Sequence, residues 1–88
     1  MATLYSTDGT AKTVKPQHGK TFTLEELQTF VGGYVEEVSP NIFLVVGKTM
    51  FVNEDGLSKA LPVNRRAMGL CRGSIVGPAL VCAPDEVE

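Results

Sequence analysis

Thr23 stands three residues before Glu26, and Gly32-Gly33 follows Val31. These two signals fix where the best-defined helix of the chain begins and ends. At this spacing the threonine hydroxyl and the glutamate carboxylate satisfy two backbone donors of a helix start. The first glycine is a natural left-handed stop. Between them Leu24, Leu27, Phe30 and Val31 recur on one face, while Glu25, Gln28 and Thr29 lie largely off it. The spacing therefore predicts an amphipathic helix from Leu24 to about Val31. A helix this short leaves most of the core to strands.

Thr3 to Ser6 alternates weakly, and Asp8-Gly9 after it is a strong hairpin signal, so Thr10 to Pro16 reads as the returning strand. Pro16, His18 and Gly19 break regular structure before the helix. Beyond the helix, Tyr34 to Val38 reads as a strand and Ser39-Pro40-Asn41 as a turn. Ile42 to Val46 is a continuous apolar run of the kind found in a central strand buried on both faces. Gly47-Lys48 fits a type II′ loop into a strand from Thr49 to Asn53, followed by a turn at Glu54-Asp55-Gly56 and a short extended piece, Leu57 to Leu61. Asn64 can cap a second helix from Arg65 to about Cys71, with Gly73 as its stop. Ile75 to Cys82 is a last apolar strand, bulged at Gly77-Pro78 or starting after the proline. These elements predict an α+β fold: a small antiparallel sheet of five or six strands with two short helices packed on one side. Residues 1–88 form a single domain, with 1–2 and 83–88 expected to fray.

Size and charge narrow the function classes. An 88-residue domain buries only roughly 60 to 65% of its unfolded surface, so a deep catalytic cavity competes with the core for the same side chains. Ten acids against eight bases give a net charge of −2, which argues against nonspecific binding to duplex DNA. No apolar run is long enough to span a membrane, and residues 1–20 lack the pattern of a secretory signal, so a cytoplasmic location is expected. Cys71, Cys82 and His18 are too few for a closed zinc site, and both cysteines sit among apolar residues, where they read as buried thiols rather than a disulfide. No metal and no cofactor is implied.

The local rule most clearly broken is at the second helix, whose first turn places Arg65 and Arg66 at the positive end of the helix dipole. With the Asn64 amide and the helix-start N–H groups they form a candidate acceptor for a phosphate or carboxylate; surface pairing with Glu54, Asp55 or the acidic tail explains the same arginines. Gly32 and Gly33 would allow close backbone approach of a ligand, and Tyr34 could stack on its ring, although a helix stop followed by a core tyrosine explains the same residues more simply. Glu36 and Glu37 are adjacent, so in a strand they point to opposite faces and form no acid/base pair. His18 cannot be placed beside either cysteine for nucleophilic catalysis. Gly47-Lys48-Thr49 ends like a phosphate loop, but Ile42 stands where that motif needs its first glycine.

Taken in order, Thr-Leu-Glu-Glu-Leu-Gln (Thr23 to Gln28), Gly-Gly-Tyr-Val-Glu (Gly32 to Glu36), Asn-Glu-Asp-Gly (Asn53 to Gly56), Leu-Pro-Val-Asn-Arg-Arg-Ala (Leu61 to Ala67) and Ile-Val-Gly (Ile75 to Gly77) resemble a family of small domains of unknown function encoded by phages, plasmids and other mobile elements. The resemblance implies an accessory protein that manages the host or its defences. It implies no catalytic residue. The expectation is a non-enzymatic protein that binds a host factor. One form of it sequesters a nucleotide signal, with Asn64, Arg65 and Arg66 holding an anionic group and Tyr34 stacking. The alternative is an interaction module that uses a sheet edge or an oligomer interface and takes no small ligand. Self-association fits either, since pairing adds buried area that a chain this small lacks.

Overall fold

The strand at the centre of the sheet, Ala79–Cys82, is apolar on both of its faces, and the architecture follows from that. In the computed structural model, which describes residues 2–87, the elements run β1 (Ala2–Tyr5), β2 (Ala11–Val14), α1 (Leu24–Val31), β3 (Val35–Glu37), β4 (Thr49–Asn53), α2 (Arg65–Met68) and β5 (Ala79–Cys82), with a 3-10 turn at Pro84–Glu86. The five strands form one antiparallel sheet in the order β2-β1-β5-β4-β3. The last strand thus inserts between the first and the fourth. The α+β class, with five strands and two short helices, is the one the sequence predicts.

One expected detail is corrected. The helices lie against opposite faces of the sheet, not on one side. Leu80 and Cys82 of β5 pack with Ala2, Phe22 and Leu27 under α1, whereas Ala79 packs with Met50, Val52, Ile75 and the α2 residue Ala67 on the other face. Side chains of successive strand residues point to opposite faces, so a sheet apolar on both needs cover on both. Helix α1 is built as its sequence dictates: Thr23 Oγ1 accepts from Glu26 N–H at 3.1 Å, Glu26 Oε1 accepts from Thr23 N–H at 3.0 Å, and Gly32 closes the end at φ 81°. Those N–H groups, first from Thr23 and then from Gln17, hold the Glu26 carboxyl below its ordinary pKa.

Ile42 to Val46 is not the central strand its composition promised. It is an outer layer on the α2 face: Phe43 and Val45 pack inward, while Ile42, Leu44 and Val46 face solvent. Its pairing is limited to a bridge from Phe43 to Cys71. The buried places the run would have filled belong to β4 and β5. Gly47 (φ 80°) sits third in a turn closed by Lys48 N–H to Val45 C=O, so the expected II′ loop is also absent. Leu57 to Leu61 forms turns instead of an extended piece, and α2 stops at Gly69, earlier than Cys71 and Gly73. At the Asp8-Gly9 hairpin only Gly9 has positive φ, and Gly9 N–H closes on Ser6 C=O. This is a three-residue loop with a glycine bulge, not the two-residue turn. Of the ends expected to fray, residues 1 and 88 lie outside the described residues; Ala2 is buried in β1, and Phe22 N–H bonds Glu86 C=O while Phe22 bridges Val87.

Both thiols are free. Cys71 is half-buried with its Sγ 3.8 Å from Met50 Sδ, and Cys82 is buried in the central strand. Burial, helped by the nearby Glu86 carboxylate, pushes the Cys82 thiol from an ordinary 9.0 up to about 11. Between these values the unfolded chain releases a proton that the folded chain keeps, so stability is full below pH 9.0 and falls as pH rises towards 11. The slope expected from this one group approaches about 1.4 kcal/mol per pH unit. Urea unfolding of wild type and Cys82→Ala across this window checks it: the difference between the two should shrink with rising pH, and a constant difference would show that the thiol is not the titrating group.

Candidate interaction surface

The Asn64 side chain is fully buried and fully used. Its Oδ1 accepts from Ala67 N–H at 3.1 Å, and its Nδ2 donates to Tyr5 C=O and Gly77 C=O, both at 2.9 Å. It caps α2 as expected and also ties that helix to β1 and to the approach to β5, leaving no polar atom for a ligand. Arg65 and Arg66 are exposed on a helix of four residues. Arg66 Nη1 donates to Gly9 C=O at 3.0 Å, which joins α2 to the β1–β2 loop. Among the described residues neither arginine has a carboxylate within 4.0 Å, so the pairing with Glu54, Asp55 or the described part of the tail is not made; residue 88 lies outside the described residues.

Gly32 and Gly33 serve the backbone. Gly32 is the left-handed helix end, and a side chain at Gly33 would stand 2.9 Å from Asn53 Nδ2 and 3.2 Å from Lys59 Nζ. That space is filled by the protein's own Asn53, whose amide donates to Val31 C=O and accepts from Asp55 N–H. Tyr34 is not a core residue: it is 67% exposed, and its backbone C=O accepts from Glu54 N–H. It precedes β3, whereas Arg66 bonds the loop after β1. Both lie at the same end of the sheet, but β4 and β5 intervene, a separation of roughly 14 Å at about 4.8 Å per strand. The residues expected to share an anion-and-stacking site do not converge. Among the described residues no group of three His, Cys, Asp or Glu side chains could hold a metal.

What does converge lies at the other edge. Strand β3 is three residues long and pairs only with β4. Tyr34 C=O accepts from Glu54 N–H just after β4 and Val38 N–H donates to Met50 C=O of β4, so by alternation Glu36 faces β4 while the N–H and C=O of Val35 and Glu37 point out of the sheet. Glu36 and Glu37 project to opposite faces, as their adjacency predicts; Glu36 is opposite Val52, and Glu37 accepts from Thr49 Oγ1. A depression of about 420 Å³ beside Glu36 is floored by Val38, Ile42, Val52, Leu57, Ile75 and Val76 and rimmed by Glu36, Glu37 and Glu54. A second, of about 410 Å³, includes Pro40, Leu44, Val46 and Pro84 and shares Glu37 and Val38 with the first. Exposed Ile42, Leu44, Val46 and Leu57 therefore all border the end of one edge strand.

Sequence reasoning passed over this surface because Ile42 to Val46 looked like interior. The signal present was charge: two glutamates in a three-residue strand are at home on an edge, where they discourage pairing with other edges. The opposite edge, β2, exposes Lys12 and is followed by exposed Lys15.

No helix in the described residues is long and apolar enough to cross a membrane. No curated protein and no solved structure matches the chain. One family model does, over residues 4–88, and the chain on which this edge and these depressions are built belongs to that family, DUF3846, a domain of unknown function.

Proposed function

We propose that the domain is a non-enzymatic protein-interaction module of the cytoplasm that works through the free edge β3. The observation that carries this reading is the meeting of two apolar depressions at an edge strand with outward N–H and C=O groups. Such an edge offers main-chain hydrogen bonds for affinity and flanking pockets for selectivity. A nucleotide-sequestering protein is less well supported, because Asn64 is committed to the fold and Tyr34 stands across the sheet from Arg66. The order of motifs that resembles phage and plasmid proteins supports a host protein as the partner.

Glu37→Pro removes one outward N–H and leaves the main-chain β3–β4 bonds in place, a change edge strands accept, although it also gives up the bond from Thr49 Oγ1 to the Glu37 carboxylate. In pull-downs from lysate of the cells that carry the protein, a stoichiometric partner is expected on wild type and on Arg65→Ala/Arg66→Ala, and is expected to be lost on Glu37→Pro. A nucleotide carried through purification and lost on Arg65→Ala/Arg66→Ala would overturn this reading.

A further inference from the structure

We infer that the occupant of the β3 edge is an extended segment of a partner protein that alternates aliphatic residues with lysine or arginine, added to the sheet as a sixth strand. The inference rests on the proposed edge function and names the partner's chemistry. Glu36, Glu37 and Glu54 are exposed, and among the described residues none has a lysine or arginine within 4.0 Å. The Glu36 and Glu54 carboxylates, without a cation in that range, flank an aliphatic floor on the α2 face, and Glu37 stands on the other face of the same edge. Side chains of an added strand alternate between the faces of the sheet. On the α2 face they reach Ile42 and Leu57 between Glu36 and Glu54; on the other they pass Glu37. Aliphatic groups suit the floor and cations suit the rim, and opposite charges steer the encounter and fix its register.

A second copy of the chain complements this surface poorly. Another β3 brings the same two glutamates against it. The β2 edge offers Lys12 on the α1 face, but its Ala11 and Thr13, on the α2 face, are too short to fill the groove.

The test is selection of displayed random peptides against the full chain. Binding of the enriched peptide is then measured by fluorescence anisotropy to wild type, Glu36→Gln/Glu54→Gln and Glu37→Pro, each checked for folding by circular dichroism. The expected peptides alternate Val, Ile or Leu with Lys or Arg. Their affinity should fall roughly three- to tenfold on Glu36→Gln/Glu54→Gln, weaken with rising salt, and be lost on Glu37→Pro. Neutral or acidic peptides that still depend on the β3 edge would overturn the partner chemistry and leave the edge function standing. Peptides indifferent to Glu37→Pro would overturn both. Failure of any peptide to enrich, or self-association abolished by Glu37→Pro, would overturn the partner segment in favour of another occupant.

Discussion

Asn64→Ala is expected to lower the unfolding free energy by about 3 to 5 kcal/mol. The truncation removes a helix cap, a loss of about 1 kcal/mol on its own. It also strands Gly77 C=O and Ala67 N–H and takes one donor from Tyr5 C=O, which stands opposite Ala79 in the β1–β5 ladder. A buried polar group left without a partner costs about 1 to 3 kcal/mol, and water reaching Tyr5 C=O at the part-buried side offsets some of that. An 88-residue domain has a stability of about 4 to 13 kcal/mol in all. Urea unfolding followed by circular dichroism checks the figure, and a loss below about 1 kcal/mol would show that the three bonds are replaceable. Asn64→Asp separates the cap from the ties: it keeps the acceptor for Ala67 but turns a carboxylate towards two carbonyls. Burial and those carbonyls raise the pKa of the introduced carboxyl. The folded form then binds the proton more tightly than the unfolded, so this variant should be most stable in acid and lose stability as pH rises.

Asn64 also shows what can be read from a sequence and what cannot. Its cap is a local fact, since Ala67 is three residues away, and the second helix was legible for that reason. Its other partners are 59 and 13 residues distant, and they exist only because β5 enters the sheet beside β1. The same distinction runs through the fold. Thr23, Glu26 and Gly32 act within one turn of helix, and α1 appears where they place it. Ile42 to Val46 failed because an apolar run satisfies a buried strand and a half-buried outer layer equally well; Ala79 to Cys82 decided the matter by filling the centre from the far end of the chain. Arg65 and Arg66 looked misplaced against a helix dipole, but α2 is barely one turn, so little field opposes them. The edge itself was illegible in principle, because which strand is left unpaired depends on the order of all five. Glu36 and Glu37 hinted at it, and their placement on opposite faces was legible from adjacency alone.

Phe22→Ala is expected to cost about 3 to 5 kcal/mol, the range for removing a buried aromatic ring. Phe22 has no exposed surface and belongs to the cluster under α1 with Ala2, Leu27, Leu80 and Cys82. Its ring meets Phe30 edge-on, at 5.8 Å and 80°, and its N–H bonds Glu86 C=O at 2.6 Å. The alanine variant therefore opens a cavity over Cys82 and loosens the seat of the chain's last turn. Reaction of Cys82 with a thiol reagent should accelerate along with the loss of stability, measured in a Cys71→Ala background so that only this thiol reports. Unchanged reactivity would mean that the cluster collapses to fill the gap. Phe22 and Asn64 lie on opposite faces and share no partner, so their costs should add. The sum, about 6 to 10 kcal/mol, reaches the whole stability of many domains this size, and Phe22→Ala/Asn64→Ala should be unfolded, or nearly so, without denaturant. A double variant that stays folded with a loss well below the sum would reveal coupling between the faces, and β1, which carries Ala2 of the Phe22 cluster and Tyr5 of the Asn64 bonds, is placed to transmit it.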